Sequence, residues 1–139
     1  MTRYEMGECV NQELEIFEKK IVELSIPRVA KFEKVSYEQF KKDMMEKIPN
    51  VFGDNEEAIK SIYEDIKLPK RATKDSAGYD FYAPFAIKPT PNGGIVVPTG
   101  IRCKINPGWV LKLYPRSGQG TKFGVHLFNS VGIVDSKNK

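Results

Sequence analysis

Near residue 67 the spacing of the apolar residues changes period, so the two parts of this 139-residue chain cannot be built from one kind of element. Before that point apolar side chains mostly recur every three or four residues. Leu14, Phe17, Ile21 and Leu24 form a helical stripe in residues 11–25, with Glu and Lys between them, and Ile26-Pro27 closes the segment. RVAKFEKV then alternates and reads as a short strand. Ser36 with Gln39 makes a capping box that opens a helix through Lys47, stopped by Pro49, and Asp54 with Glu57 repeats the device before Ala58, Ile62 and Ile66. From Gly78 onward the segments YDFYAPFAI, GIVVPTG, IRCKI, GWVLKLY, GVHLF and VGIVD are short, rich in Val, Ile, Tyr and Phe, and punctuated by Pro, Gly and Asn. Six such strands imply an all-β sandwich or barrel, with PNGG at 91–94 as a tight hairpin turn. The expected organisation is a largely helical extension with one short strand over residues 1–67 and a β domain over residues 68–139.

The charge follows the same division. Residues 1–66 hold 10 Lys/Arg against 15 Asp/Glu, a balance of −5, whereas residues 67–139 hold 12 against 3, a balance of +9. A basic β segment favours anionic ligands such as nucleotides, phosphates or nucleic acid, or is simply a solvated lysine-rich surface. The chain has no apolar run of about 18 residues to span a bilayer, and its acidic start lacks the form of a signal peptide. The first helix has a narrow stripe and a mixed polar face, which disfavours a membrane surface. A soluble cytoplasmic protein is expected. Cys9 and Cys103 lie far apart without CxxC spacing, so they read as two reduced thiols with no disulfide or zinc site. His126, the only histidine of the chain, sits in a strand pattern, which disfavours a metal or triad role.

Three short stretches carry chemistry. In PRSGQGTKFG, residues 115–124, Arg116 offers a planar fork for two phosphate oxygens, Ser117 a hydroxyl, and Gly118 a backbone that a polyphosphate can approach. The same pattern also suits a surface turn with a solvated arginine, and GxxxxGK[ST] is absent. In NSVGIVD, residues 129–135, Asp135 follows an apolar strand; only Asp75, Asp80 and Asp135 are acidic after residue 66. A scarce carboxylate in a basic segment is a candidate general base or metal partner, or a turn aspartate that ends a strand. The third stretch, KDSAGYDFYAP, sets Ser76, Ala77 and Gly78 ahead of Asp80 at the mouth of the first strand, or is a loop entering a sheet.

Taken together, SAGYDFYAP, VPTGI followed by LKLYPRSG, and NSVGIVDS resemble the first three motifs of trimeric dUTPases in order and approximate spacing, without a gap from Arg116 to Asp135. The resemblance covers about residues 68–136, and residues 28–67 are similar to an N-terminal extension found in one branch of that family. It implies a mainly β fold, a dUTPase-like jelly roll, assembled as a homotrimer whose sites are shared between subunits. It further implies hydrolysis of dUTP to dUMP and pyrophosphate with Mg²⁺, with no nucleic-acid or membrane partner. Asp80 would hold water of the Mg²⁺ shell. Arg116, Ser117 and Gly118 would bind the triphosphate. Asn129, Gly132, Ile133 and Val134 would form the hairpin that reads the uracil edge. Asp135 would activate the attacking water and meet the deoxyribose 3′-hydroxyl.

Beyond Asp135 the family pattern stops. Asn138 stands where the family has a sugar-stacking tyrosine, Gln119 replaces an apolar residue, and the fourth and fifth motifs have no counterpart in the sequence. The expectation is a jelly roll incomplete at its C-terminus, truncated within the third motif, with exposed strand edges and low stability. Two other function classes stand beside the hydrolase. A dCTP deaminase relative would need a catalytic glutamate in the β segment, and none occurs after Glu64. A non-catalytic interaction module would use the acidic helical extension to bind a partner.

Overall fold

The computed structural model describes residues 13–21, 27–88 and 93–137. Its first element is helix α1, residues 13–21, where Leu14, Phe17 and Ile21 lie exposed on the expected stripe. Leu24, Cys9, Asn138 and the first half of the expected PNGG turn lie outside the described residues. Strand β1 (Ala30–Lys34) follows, then helices α2 (Tyr37–Lys47), α3 (Pro49–Phe52) and α4 (Glu56–Glu64). Strands β2 (Ile101–Ile105) and β3 (Val110–Leu113), helix α5 (Ser117–Phe123) and strand β4 (Gly132–Asp135) complete the order. Among the described residues no helix is long and apolar enough to cross a membrane.

The helices begin and end where their end chemistry allows. Ser36 caps α2 by accepting from the Gln39 amide, the contact expected from the capping box, and the Ile48 amide closes its end on Met44. Pro49 stops α2 and also opens α3, because the first helical position has no intrahelical use for the missing N–H. At α4 the cap lies one residue later than the sequence pattern indicates. Asn55 accepts from the Ala58 amide at 3.0 Å, while Asp54 stays outside the helix. The other end of α4 is held from β1: Lys34 Nζ donates to the carbonyls of Tyr63 and Glu64 at 3.0 and 2.9 Å, placing a cation on the helix C-terminus.

The core sits between these helices and the β1–β2 ribbon. Phe40, Met44 and Ile59 are fully buried, with Ile48 and Ile66 beside them and Val35, Tyr37, Phe85 and Ile101 packed around. Phe52 meets Phe85 edge-on at 5.1 Å, and Tyr63 donates its hydroxyl to the Val35 carbonyl at 2.7 Å. β1 pairs antiparallel with β2 in the register Ala30↔Ile105 to Lys34↔Ile101, so strand pairing and core both cross residue 67. The cross-strand pair Glu33↔Arg102 is also an ion pair at 3.0 Å, and Lys31 reaches the same carboxylate at 2.8 Å. Gly100 enters β2 with φ +67°, and a Cβ there would lie 2.4 Å from Ile66 Cδ1 and 3.0 Å from the Phe40 ring. Only glycine permits both that backbone and that approach.

A second ribbon joins β3 to β4, antiparallel, in the register Val110↔Asp135, Leu111↔Val134, Lys112↔Ile133 and Leu113↔Gly132. Three of the six expected strands therefore form: IRCKI, the centre of GWVLKLY, and VGIVD. YDFYAPFAI contributes one isolated bridge, Lys70↔Asp80, and GIVVPTG and GVHLF have no strand pairing. The reason is local. Pro84 and Pro98 lack the N–H a ladder needs, and GVHLF is bounded by two left-handed residues, Gly124 at φ +65° and Ser130 at φ +60°. The described residues thus carry two two-stranded antiparallel sheets together with helices, rather than the double sheet expected of a jelly roll.

Candidate functional site

The Arg-Ser-Gly stretch folds as a helix start rather than as an open turn. β3 ends at Leu113, Pro115 keeps the chain extended, and Arg116 takes the N-cap position of α5 at φ −68° and ψ 138°. Its carbonyl accepts from the amides of Gln119 and Gly120 at 2.9 and 3.2 Å. Ser117 and Gly118 occupy the first turn, where backbone N–H groups have no intrahelical acceptor. Gly124 ends the helix in the left-handed conformation, its amide returning to Gly120. The side chain of Arg116 is 72% exposed.

Asp80 meets that arginine. Its Oδ1 lies 3.9 Å from Arg116 Nε, and the carboxylate is half-buried whereas the guanidinium is open to solvent. At this distance the two groups attract without a direct hydrogen bond. Asp80 is fixed through its backbone, whose amide donates to the Lys70 carbonyl at 2.9 Å. The turn before it is tied by Ser76, whose hydroxyl accepts from the Thr73 amide at 3.0 Å and lies 2.9 Å from Thr73 Oγ1. Two of the three chemistry-bearing stretches are therefore brought together, 36 residues apart in sequence.

The third stretch takes a different position. Asn129 is exposed at the turn before β4, where the Val131 amide donates back to its carbonyl at 2.6 Å and Ser130 adopts φ +60°. Gly132 starts β4 against Leu113, and a Cβ there would come within 3.1 Å of the leucine side chain. Ile133 and Asp135 share the outer face of the ribbon with Val110 and Lys112, while Val134 faces the other way with Leu111. Asp135 accepts from the Lys137 amide at 2.9 Å. In this register it lies opposite Val110, at the end of β3 remote from Arg116, three residues or about 10 Å of strand from Leu113. The ribbon thus points its aspartate and its arginine loop in opposite directions.

Other features are structural. A cavity of about 130 Å³ is lined by Asp65, Ile66, Lys67, Tyr82, Ala83 and Pro84, below the roughly 300 Å³ at which small-molecule pockets begin. Burial pushes the Cys103 thiol above its ordinary pKa, which disfavours the thiolate. His126 Nδ1 lies 3.0 Å from the Gly124 carbonyl, part of its own turn. No group of three or more His, Cys, Asp or Glu among the described residues is arranged to hold a metal directly. Phe32 of β1, which the sequence pattern marks only as one residue of a strand, packs against both neighbours of Asp80, Tyr79 and Phe81.

The dUTPase family model matches residues 64–139, more than half of the chain and all three stretches. The chain belongs to the dUTPase family. The deoxyuridine 5′-triphosphate nucleotidohydrolase of Dictyoglomus turgidum is 37% identical over 82 residues, 56% of either chain. The protein of that name from Lactococcus lactis subsp. lactis is 41% identical over 70 residues, covering 50% of this chain and 47% of that one, and one from Burkholderia mallei is 43% identical over 74 residues, 50% of this chain and 49% of that one. This dUTPase-family chain spans about half the length of the curated relatives it matches. No solved structure matches it.

Proposed function

We propose that the chain forms the triphosphate- and base-binding part of a dUTP diphosphatase, which splits dUTP into dUMP and pyrophosphate. The observation that carries this reading is the meeting of Asp80 with Arg116 inside the segment matched by the family. Arg116 clamps phosphate oxygens, the Ser117 hydroxyl and Gly118 amide donate to the same anion, and the basic balance of residues 67–139 draws the nucleotide in. Asn129 and the backbone of Gly132, Ile133 and Val134 read the uracil edge at the narrow turn into β4. Asp135 orients the attacking water, takes its proton and meets the sugar hydroxyl. In-line attack at phosphorus asks chiefly for such positioning and charge neutralisation.

The donor set fits Mg²⁺ held indirectly. Asp80 is a single half-buried carboxylate, and among the described residues no cluster of ligands stands beside it for direct chelation, which suits a hydrated ion bound through water. Such an ion would neutralise phosphate charge, and this chain's part is to orient its water shell through Asp80.

The β3–β4 register supports assembly as a homotrimer. Asp135 and Arg116 leave the ribbon at opposite ends, so copies related by a three-fold axis would complete each other's sites. In that assembly the β segments contribute to a jelly roll, with residues 1–67 as the extension and 68–139 as the nucleotide domain, in the cytoplasm. A pyrophosphate-release assay with dUTP, dTTP and dCTP tests the reading. We expect turnover of dUTP alone, abolished by Asp135→Asn; a folded sample that binds none of the three nucleotides would overturn it.

A further inference from the structure

We infer that Phe32, supplied by the N-terminal segment, is a positioning residue for Asp80. The inference rests on the reading of Asp80 as part of the nucleotide site. The Phe32 ring lies 5.5 Å from the Tyr79 ring, tilted at 58°, and 5.4 Å from the Phe81 ring, edge-on at 87°. Tyr79 and Phe81 flank Asp80, and because both meet the same ring they lie on one side of the chain. Alternation of an extended backbone then turns Asp80 to the opposite side, where its carboxylate approaches Arg116.

Little else fixes that segment. Among the described residues Tyr79, Asp80 and Phe81 belong to no strand ladder and make one isolated bridge, Asp80 to Lys70; further along the chain Phe85 packs on Phe52 in the core. Arg71 covers the other part of the Tyr79 ring at 5.3 Å, but it belongs to the same exposed turn. Phe32 sits instead in the β1–β2 ribbon, paired with Cys103, between Lys31↔Lys104 and Glu33↔Arg102. That ribbon is anchored to the helical core through Lys34 on the end of α4 and through the Tyr63 hydroxyl, which donates to the Val35 carbonyl. Rigidity passes from the core through β1 to the ring, and from the ring to the two residues that hold Asp80 between them. A carboxylate that must hold one orientation needs such support from a packed element. The extension therefore serves the site by fixing one carboxylate.

The test uses the full chain and a dUTP analogue with nitrogen in the α,β-bridge, which binds without turnover. Phe32→Ala raises the dissociation constant about tenfold, Phe32→Tyr stays within about twofold of the parent, and Phe32→Leu, which keeps apolar bulk in β1, falls between them. In an Asp80→Asn background Phe32→Ala changes affinity less than about twofold, since the group through which it acts is already gone. Hydrogen exchange is read in parallel without nucleotide. In Phe32→Ala and Phe32→Leu the Asp80 amide exchanges at least about tenfold faster while the Phe40 and Ile59 amides keep their protection. Equal losses of affinity in the parent and Asp80→Asn backgrounds, an unchanged Asp80 amide, or loss of protection throughout α2 and α4 would each overturn the inference. If the parent chain binds no analogue, the proposed function fails, and the exchange measurement still decides whether Phe32 holds Asp80.

Discussion

The two ribbons of this molecule are built alike and embedded differently. β1–β2 lies against three helices, and the residues it helps to cover, Phe40, Met44 and Ile59, are shielded from water. Around β3–α5–β4 the large apolar side chains lie open instead: Trp109, Tyr114, Phe123, Phe128 and Ile133 are each more than half exposed. A hydrophobic side chain stabilises a fold in proportion to the area it removes from water. The helical region therefore holds the stability of the described chain, and the region that carries Arg116 and Asp135 presents surface suited to contact with something else. In the trimer proposed above, that something is another copy. Asp80 lies on the seam between the two regions: its neighbours Tyr79 and Phe81 pack on Phe32, and its carboxylate approaches Arg116.

The largest effects should come from the covered side. Phe40→Ala or Ile59→Ala leaves a cavity among fully buried neighbours and should cost about 3–5 and 2–5 kcal/mol respectively, read as a fall in the urea midpoint at unchanged slope. Gly100→Ala ranks next. It combines a left-handed backbone with a Cβ pressed against Ile66 and Phe40, at a cost of about 2–3 kcal/mol by the same measurement. On the open side, measured at a concentration where the chain is monomeric, Phe123→Ser and Ile133→Ser should shift the midpoint by no more than about 0.5 kcal/mol, because those side chains bury little within the chain. A core-sized loss at either position would break the contrast between the regions.

The smallest effect is electrostatic. The hydrogen bond from Lys41, at 2.8 Å, holds the Glu56 carboxyl below the ordinary carboxylate pKa of 4.5, with the Lys41 charge adding to it, and the hydrogen bond from Lys31 and then that from Arg102 do the same for Glu33. A lowered folded-state pKa contributes stability that is present above the ordinary value and lost as pH falls through the lowered one. Acidification below about pH 4.5 should therefore weaken the helical region. Glu56→Gln should slightly narrow the gap between urea midpoints measured at about pH 7 and about pH 3.

The helical part was largely legible because its signals are local. Ser36 with Gln39, Pro49 and the alternation of AKFEK each act within a few residues, and α2 and β1 form where those residues direct, whereas the short helix α3 that Pro49 opens was not expected. Even the misplaced cap at α4 is an error of one position, since Asn55 competes with Asp54 through the same kind of side-chain oxygen. Strand assignments fared less well after Gly78 because a strand depends on a partner. IRCKI, VLKL and GIVD find one, whereas YDFYAP and GVHLF have the composition of strands and no ladder to join. At the site, the residue type of Arg116 suggested a phosphate cradle and Asp80 stood out as one of three acidic residues after residue 66, yet their meeting 36 residues apart depends on the fold. Phe32 left no sequence signal at all, because its role lies in which rings it touches.

Equilibrium binding of the dUTP analogue to the parent chain and to Arg116→Ala addresses the triphosphate site most directly. Arg116 is largely exposed and holds no buried contact, so its removal leaves the fold intact. A charge-assisted hydrogen bond is worth about 1.5–3 kcal/mol, which corresponds to a loss of affinity of about ten- to a hundredfold. The account predicts that loss for the deoxyuridine nucleotide. An Arg116→Ala chain that keeps the parent's affinity would contradict it.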